Sequence, residues 1–123
     1  MEHRSFQEIE EAVYTLHASV CQLLANPTRL KIINTLREQE MAAGELARRI
    51  GVRKSNLSQH LAVLRERRMV VARREGTTVY YRIANPKMLR AFDIMREVLF
   101  EQLAEGSRIL QEYTARQAQK PRH

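Results

Sequence analysis

Apolar residues recur along this chain in blocks whose period changes once. Ile9, Val13, Leu16, Val20 and Leu23 follow one another at alternating steps of four and three. That is the stripe of one helical face, close to a heptad pattern, and it predicts a helix over 6–25. Asn26-Pro27 ends it, because the residue before a proline is pushed out of the α region. Proline also suits a helix's first turn, where its missing N–H has no partner to lose. A second helix therefore follows, with Leu30, Ile32, Ile33 and Leu36 as its apolar side. A third is expected from Met41 or Ala42, carrying Leu46, Ala47 and Ile50 and closed by Gly51. A fourth, over 54–67, sets Leu57, Leu61 and Leu64 on one face.

The period then shortens toward two. Met69–Arg74 and Thr78–Ile83 are rich in β-branched and aromatic residues and flank Glu75-Gly76-Thr77, which predicts a hairpin. Tyr80 and Tyr81, adjacent in the second strand, are expected on opposite faces. Asn85-Pro86 opens a last helix over 86–113, lined by Leu89, Phe92, Met95, Leu99 and Leu103, and 117–123 form a polar, basic tail. The predicted class is mainly α with a small β-hairpin: four helices, two strands and a final long helix. Helices 42–50 and 54–67, joined by a glycine-containing turn, make a helix-turn-helix, and the hairpin 69–84 is its wing.

Length and composition narrow the function. At 123 residues and 44% hydrophobic, the chain fits one folded domain, expected over 1–116. No run nears the apolar length of a membrane span, and the acidic N-terminus does not resemble a signal peptide. A single cysteine makes no internal disulfide, so a cytoplasmic, reducing compartment is expected. The net charge of +7 is unevenly placed. Residues 48–74 carry Arg48, Arg49, Arg53, Lys54, Arg65, Arg67, Arg68, Arg73 and Arg74 against the lone acid Glu66, whereas residues 1–26 are net acidic. A basic block confined to one segment is the electrostatic footprint of a nucleic-acid surface. No phosphate-binding glycine loop and no nucleophile with a base and an orienter occur, so an enzyme is not expected.

Four segments in order carry a family resemblance: Leu-Leu-Ala-Asn-Pro-Thr-Arg-Leu-Lys-Ile-Ile (23–33), Glu-Leu-Ala-Arg-Arg-Ile-Gly-Val (45–52), Asn-Leu-Ser-Gln-His-Leu-Ala-Val-Leu (56–64) and Arg-Arg-Glu-Gly-Thr-Thr-Val-Tyr-Tyr-Arg-Ile (73–83). Over 12–103 the chain resembles the ArsR/SmtB family of bacterial winged-helix repressors. The resemblance implies a homodimer on double-stranded DNA at an inverted repeat, with the first and last helices pairing across the two-fold axis. Ile9, Val13, Leu16, Val20, Phe92, Met95, Leu99 and Leu103 are the expected interface.

On the fourth helix Ser55, Gln59 and Ala62 fall opposite the leucines, with Ser58 beside them, and Asn56 is added as a reader. These side chains suit base edges in the major groove. Arg53, Lys54, Arg65, Arg67 and Arg68, and Arg73, Arg74 and Thr77 of the wing, are expected on phosphates, which position a protein without reading sequence. Arg53 stands where the family often has a capping serine, so either Ser55 caps the helix or bound phosphate does. A structural role is expected for His60.

The family's thiolate metal site falls on Glu40–Leu46, where Ala42 and Gly44 replace both cysteines. Its last-helix site falls on Asp93-Ile94-Met95, which lacks the imidazole. Neither a metal nor a cofactor is expected, and the effector is left unassigned. Cys21 is read as a packing thiol, with the alternative of a sensor formed with His17. The row Asp93, Glu97, Glu101 and Glu105 is read as a solvated face paired with Arg90 and Arg96, with a hard-cation site or a contact with a partner's basic surface as the alternatives. An interaction module built on the same fold is the alternative to a DNA-binding regulator.

Overall fold

The computed structural model describes residues 3–103 and 108–120. In chain order the elements are α1 (Phe6–Leu24), α2 (Pro27–Thr35), β1 (Met41–Ala42), α3 (Ala43–Ile50), α4 (Lys54–Glu66), β2 (Val70–Glu75), β3 (Thr78–Ile83), α5 (Lys87–Leu103) and α6 (Arg108–Gln119). They divide into two compact units, Met1–Asn85 and Pro86–His123.

Local chemistry sets the helix starts in the first unit. Ser5 and Glu8 form a reciprocal capping box at α1. Asn26 caps α2 by accepting from the Arg29 N–H at 3.1 Å, with Pro27 inside the first turn. Gly51 closes α3 at φ +82°, in the left-handed region where a side chain would be strained. The core is the meeting of these helices: Leu23, Ile32, Ile33, Leu36, Leu46, Leu57, Leu61 and Leu64 are buried, joined by Met41, Val70 and Ile83 from the strands.

Hairpin β2–β3 pairs Val70 with Ile83 through to Glu75 with Thr78, leaving Gly76-Thr77 as a two-residue loop. Gly76 takes φ +62°, the positive value that such a loop needs at its first position. The third helix begins later than expected. Met41 and Ala42 are extended and pair antiparallel with Tyr81 and Tyr80, giving a three-stranded sheet in the order β1-β3-β2. Burying Met41 while pairing its backbone on the free edge of β3 outweighs a further half-turn of helix.

In the second unit the expected helix 86–113 is instead two helices, and the expected tail is helical to Gln119. Phe100 and Tyr113 place their ring centroids 5.3 Å apart. On one straight helix these residues would stand about 20 Å apart, so α6 folds back on α5. The Arg96 guanidinium lies 4.5 Å over the Phe92 ring and 5.6 Å from that of Tyr113, whose hydroxyl accepts its hydrogen bond. Cation–π and ring contacts thus join the two helices.

Candidate nucleic-acid interface

The site rests on α4, and α4 is held by its leucines. Leu57, Leu61 and Leu64 are at most 1% exposed. Helical geometry then turns Ser55, Asn56, Ser58, Gln59 and Ala62 outward, and all five are exposed. Ser58 is partly engaged, its hydroxyl donating to the Lys54 carbonyl at 2.9 Å. Ser55 does not cap the helix as one alternative had it: the N-cap of α4 is Arg53, and no side chain caps the helix start. Its first-turn N–H groups are left directed outward beside Arg53 and Lys54.

The C-terminus of α4 closes on a residue rarely found there. The Met69 N–H donates to the Leu64 carbonyl at 2.8 Å and the Arg68 N–H to that of Arg65 at 3.0 Å, the paired bonds of a Schellman ending. Arg68 takes the left-handed position at φ +61°, where glycine is the usual occupant. Its side chain, like those of Arg53, Lys54, Arg65 and Arg74, is exposed and, among the described residues, in no hydrogen bond or ion pair.

Two of the arginines expected on phosphates are occupied inside the chain. Arg67 donates to the Ser19 hydroxyl of α1 at 2.7 Å. Arg73 is held between Glu40, which precedes β1, and Glu75 at the hairpin end, the second contact being 2.7 Å, and it lies 4.8 Å over the Tyr80 ring. The Arg73 hydrogen bond holds the Glu40 carboxyl below its ordinary range, and the two carboxylates raise the arginine's own pKa. Thr77 is exposed in the hairpin loop. The carboxylate partners were invisible to periodicity, because β1 brings Glu40 to the wing across 33 residues.

His60 accepts at Nδ1 from the Arg29 Nε at 3.2 Å, a structural contact. Cys21 is exposed, not packed, and so is His17. Among the described residues, no group of three or more His, Cys, Asp or Glu side chains converges to hold a metal ion. Glu105 of the acidic row lies outside the described residues.

Apolar surface is concentrated on two helices. On α1, Ile9, Val13 and Leu16 are exposed and Val20 is half-buried, and Phe6 and Tyr14 extend the exposed patch beyond the predicted stripe. On α5, Met95, Leu99 and Leu103 are exposed as expected, whereas Phe92 is half-buried beneath Arg96. Ile94 and Val98 are exposed too. The sequence reading missed them because they sit beside the stripe it followed, although their hydrophobicity was a visible signal.

Residues 26–71, from the cap of α2 through the helix-turn-helix to the start of the wing, match the family described as bacterial regulatory protein, arsR family. The HTH-type transcriptional regulator Rv0081 of Mycobacterium tuberculosis is 37% identical over 106 residues, spanning 85% of this chain and 93% of that protein. The chain belongs to the ArsR family. It is a winged helix-turn-helix transcriptional regulator, not an enzyme. The crystal structure of Rv0081 superposes with a TM-score of 0.70 at 38% identity, covering 76% of this chain and 94% of that one. A solution structure from Mycobacterium bovis, the homodimeric winged helix-turn-helix DNA-binding domain Mb0332, gives a TM-score of 0.72 at 34% identity over 86% of this chain and 96% of that one. A biofilm growth-associated repressor of Agrobacterium fabrum is 38% identical over 78 residues, 63% of this chain and 67% of that protein. No helix among the described residues of this ArsR-family chain is long and apolar enough to cross a membrane.

Proposed function

We propose that this ArsR-family regulator acts in the cytoplasm as a homodimeric repressor that binds duplex DNA at an inverted repeat. The observation that carries the reading is the exposed face of α4. Ser55, Gln59 and Ala62 stand opposite three fully buried leucines, with Asn56 exposed beside them, and are flanked by cations that make no hydrogen bond or ion pair among the described residues. Gln59 and Asn56 carry the paired donor and acceptor that match an adenine edge, Ser55 and Ser58 offer hydroxyls, and Ala62 fits a thymine methyl. Arg53, Lys54, Arg65, Arg68 and Arg74 take phosphates, and a phosphate at the start of α4 supplies the cap that the chain itself lacks.

The exposed apolar faces of α1 and of α5 each call for a covering surface, and a second copy offers matching ones. The homodimeric Mb0332 domain supports that choice. Two recognition helices related by a two-fold axis then read symmetric half-sites about one helical turn apart. Occupying a promoter this way excludes polymerase. Ala42 and Gly44 supply no thiolate and α5 carries no histidine, so release by zinc, cadmium or arsenite through the two familiar family sites is not part of this reading.

Selection of bound duplexes from a randomised pool tests the proposal, paired with light scattering on the free protein. The expected result is a dimer mass and an enriched inverted repeat whose affinity falls steeply with salt. A monomer, or a pool that enriches no sequence, would overturn it.

A further inference from the structure

Two arginines tie the C-terminal half of α1 to α4. Arg29, in the first turn of α2, is half-buried. Its Nε donates to His60 Nδ1 at 3.2 Å and its Nη1 to the Leu23 carbonyl oxygen at 3.0 Å. The Asn26 cap accepts its backbone N–H, so both ends of the residue are fixed. Arg67, at the C-cap of α4, donates to the Ser19 hydroxyl at 2.7 Å, and that hydroxyl donates in turn to the Leu16 carbonyl at 2.7 Å. One helix of each tie carries the exposed apolar stripe of Ile9, Val13 and Leu16, and the other carries the outward face of Gln59, next in sequence to His60.

The leucine core of α4 is non-directional and tolerates small slides and rolls of the helix. A planar guanidinium with fixed donor directions does not. Within a two-fold dimer organised about α1, the placement of α4 against α1 sets the distance between the two reading helices. That distance is what the spacing of half-sites must match. We infer that Arg29 and Arg67 are positioning residues that lock the reading helix to the dimer helix through His60 and Ser19, and thereby set the half-site spacing that the protein accepts. The inference rests on the proposed dimeric DNA-binding reading and adds the residues that determine its spacing specificity.

The test uses the full chain and duplexes carrying the half-sites that wild type selects from a randomised pool. The spacer between them is lengthened or shortened by one or two base pairs, and a single half-site serves as control. Variants are Arg29→Ala, His60→Leu, His60→Asn, Arg67→Ala and Ser19→Ala, each checked for thermal unfolding and dimer mass. Wild type should favour its best spacer over one shifted by about two base pairs by tenfold or more. Arg29→Ala and His60→Leu should compress that preference to about threefold or less while single-half-site binding is kept, a split that a generally loosened fold does not produce. His60→Asn retains an acceptor near the Nδ1 position and should restore the wild-type preference. Ser19→Ala and Arg67→Ala should each narrow the preference in the same direction.

Folded, dimeric variants with the wild-type spacer preference would overturn the inference, as would His60→Asn behaving like His60→Leu. Should the two variants at the half-buried tie fail to fold, Ser19→Ala decides, because it breaks the exposed tie without touching the DNA-facing side chains: unchanged preference refutes, narrowed preference supports. If wild type itself selects no inverted repeat, the functional reading fails and takes this inference with it, and the wild-type measurement alone identifies that case.

Discussion

Arg73 and Arg74 are neighbours in β2 with opposite commitments, so replacing each by alanine separates an anchor from a brace. Arg74 is exposed with no hydrogen bond or ion pair among the described residues. Arg73 is held by Glu40 and Glu75 and stacked over Tyr80. A dimer that loses Arg74 from both protomers loses two phosphate contacts. Each neutralised phosphate contributes about 0.9 to the slope of log affinity against log salt, so Arg74→Ala should flatten the slope by about 1.8. Across a fourfold rise in salt, the variant then loses about tenfold less affinity than wild type does. Arg73 reaches a phosphate only by leaving two carboxylates bare beside the DNA. Arg73→Ala should therefore shift the slope by less than about 0.5, while lowering affinity at every salt concentration through those uncovered carboxylates. Fluorescence anisotropy on a labelled duplex at four salt concentrations reads both quantities. Equal flattening in the two variants would show that Arg73 abandons its carboxylates for the backbone, and no flattening in Arg74→Ala would remove it from the phosphate contacts.

Three further outcomes are expected. Gln59→Ala should cost about 1–3 kcal/mol on the selected operator and relax preference at one base pair per half-site, read by competition with single-substituted duplexes; a uniform loss on all sequences would remove Gln59 from base reading. Arg68→Gly should raise stability by up to about 1 kcal/mol, because glycine takes positive φ without the steric cost that arginine bears, and an unchanged or lower urea midpoint at constant m-value would contradict this. The Glu40 carboxyl should titrate below the ordinary glutamate range in wild type and move up toward it in Arg73→Ala, followed by carboxyl-carbon NMR. Because its folded-state pKa is lowered, the contribution of this brace is complete above the ordinary carboxylate range and is lost as pH falls through the lowered value; identical midpoints in the two proteins would break the link to Arg73.

Several of these predictions turn on residues whose roles differ from a reading of spacing and charge. Arg67 and Arg73 belong to the same basic block as Arg65 and Arg74, and nothing in their local sequence distinguishes them. Ser19 lies 48 residues from Arg67, and Glu40 lies 33 from Arg73. The exposure of Cys21 is likewise a matter of which side of α1 the rest of the unit covers.

By itself the sequence determined whatever depends on neighbours a few residues away. Proline and asparagine at 26–27 set the end of α1 and the start of α2, Gly51 and Gly76 set two turns, and the spacing of Leu57, Leu61 and Leu64 chose the outward face of α4 before any partner was known. These are local because helical and extended backbones repeat with short, fixed periods. Tertiary structure decided what requires a partner from far along the chain. Met41 and Ala42 became a strand because the edge of β3 was there to pair, α6 folded back because Tyr113 met Arg96 and Phe100, and the basic block divided into structural braces and cations without a partner among the described residues according to which carboxylates and hydroxyls the fold delivered. A periodic pattern states which way a side chain points, and only the folded chain supplies what stands there to meet it.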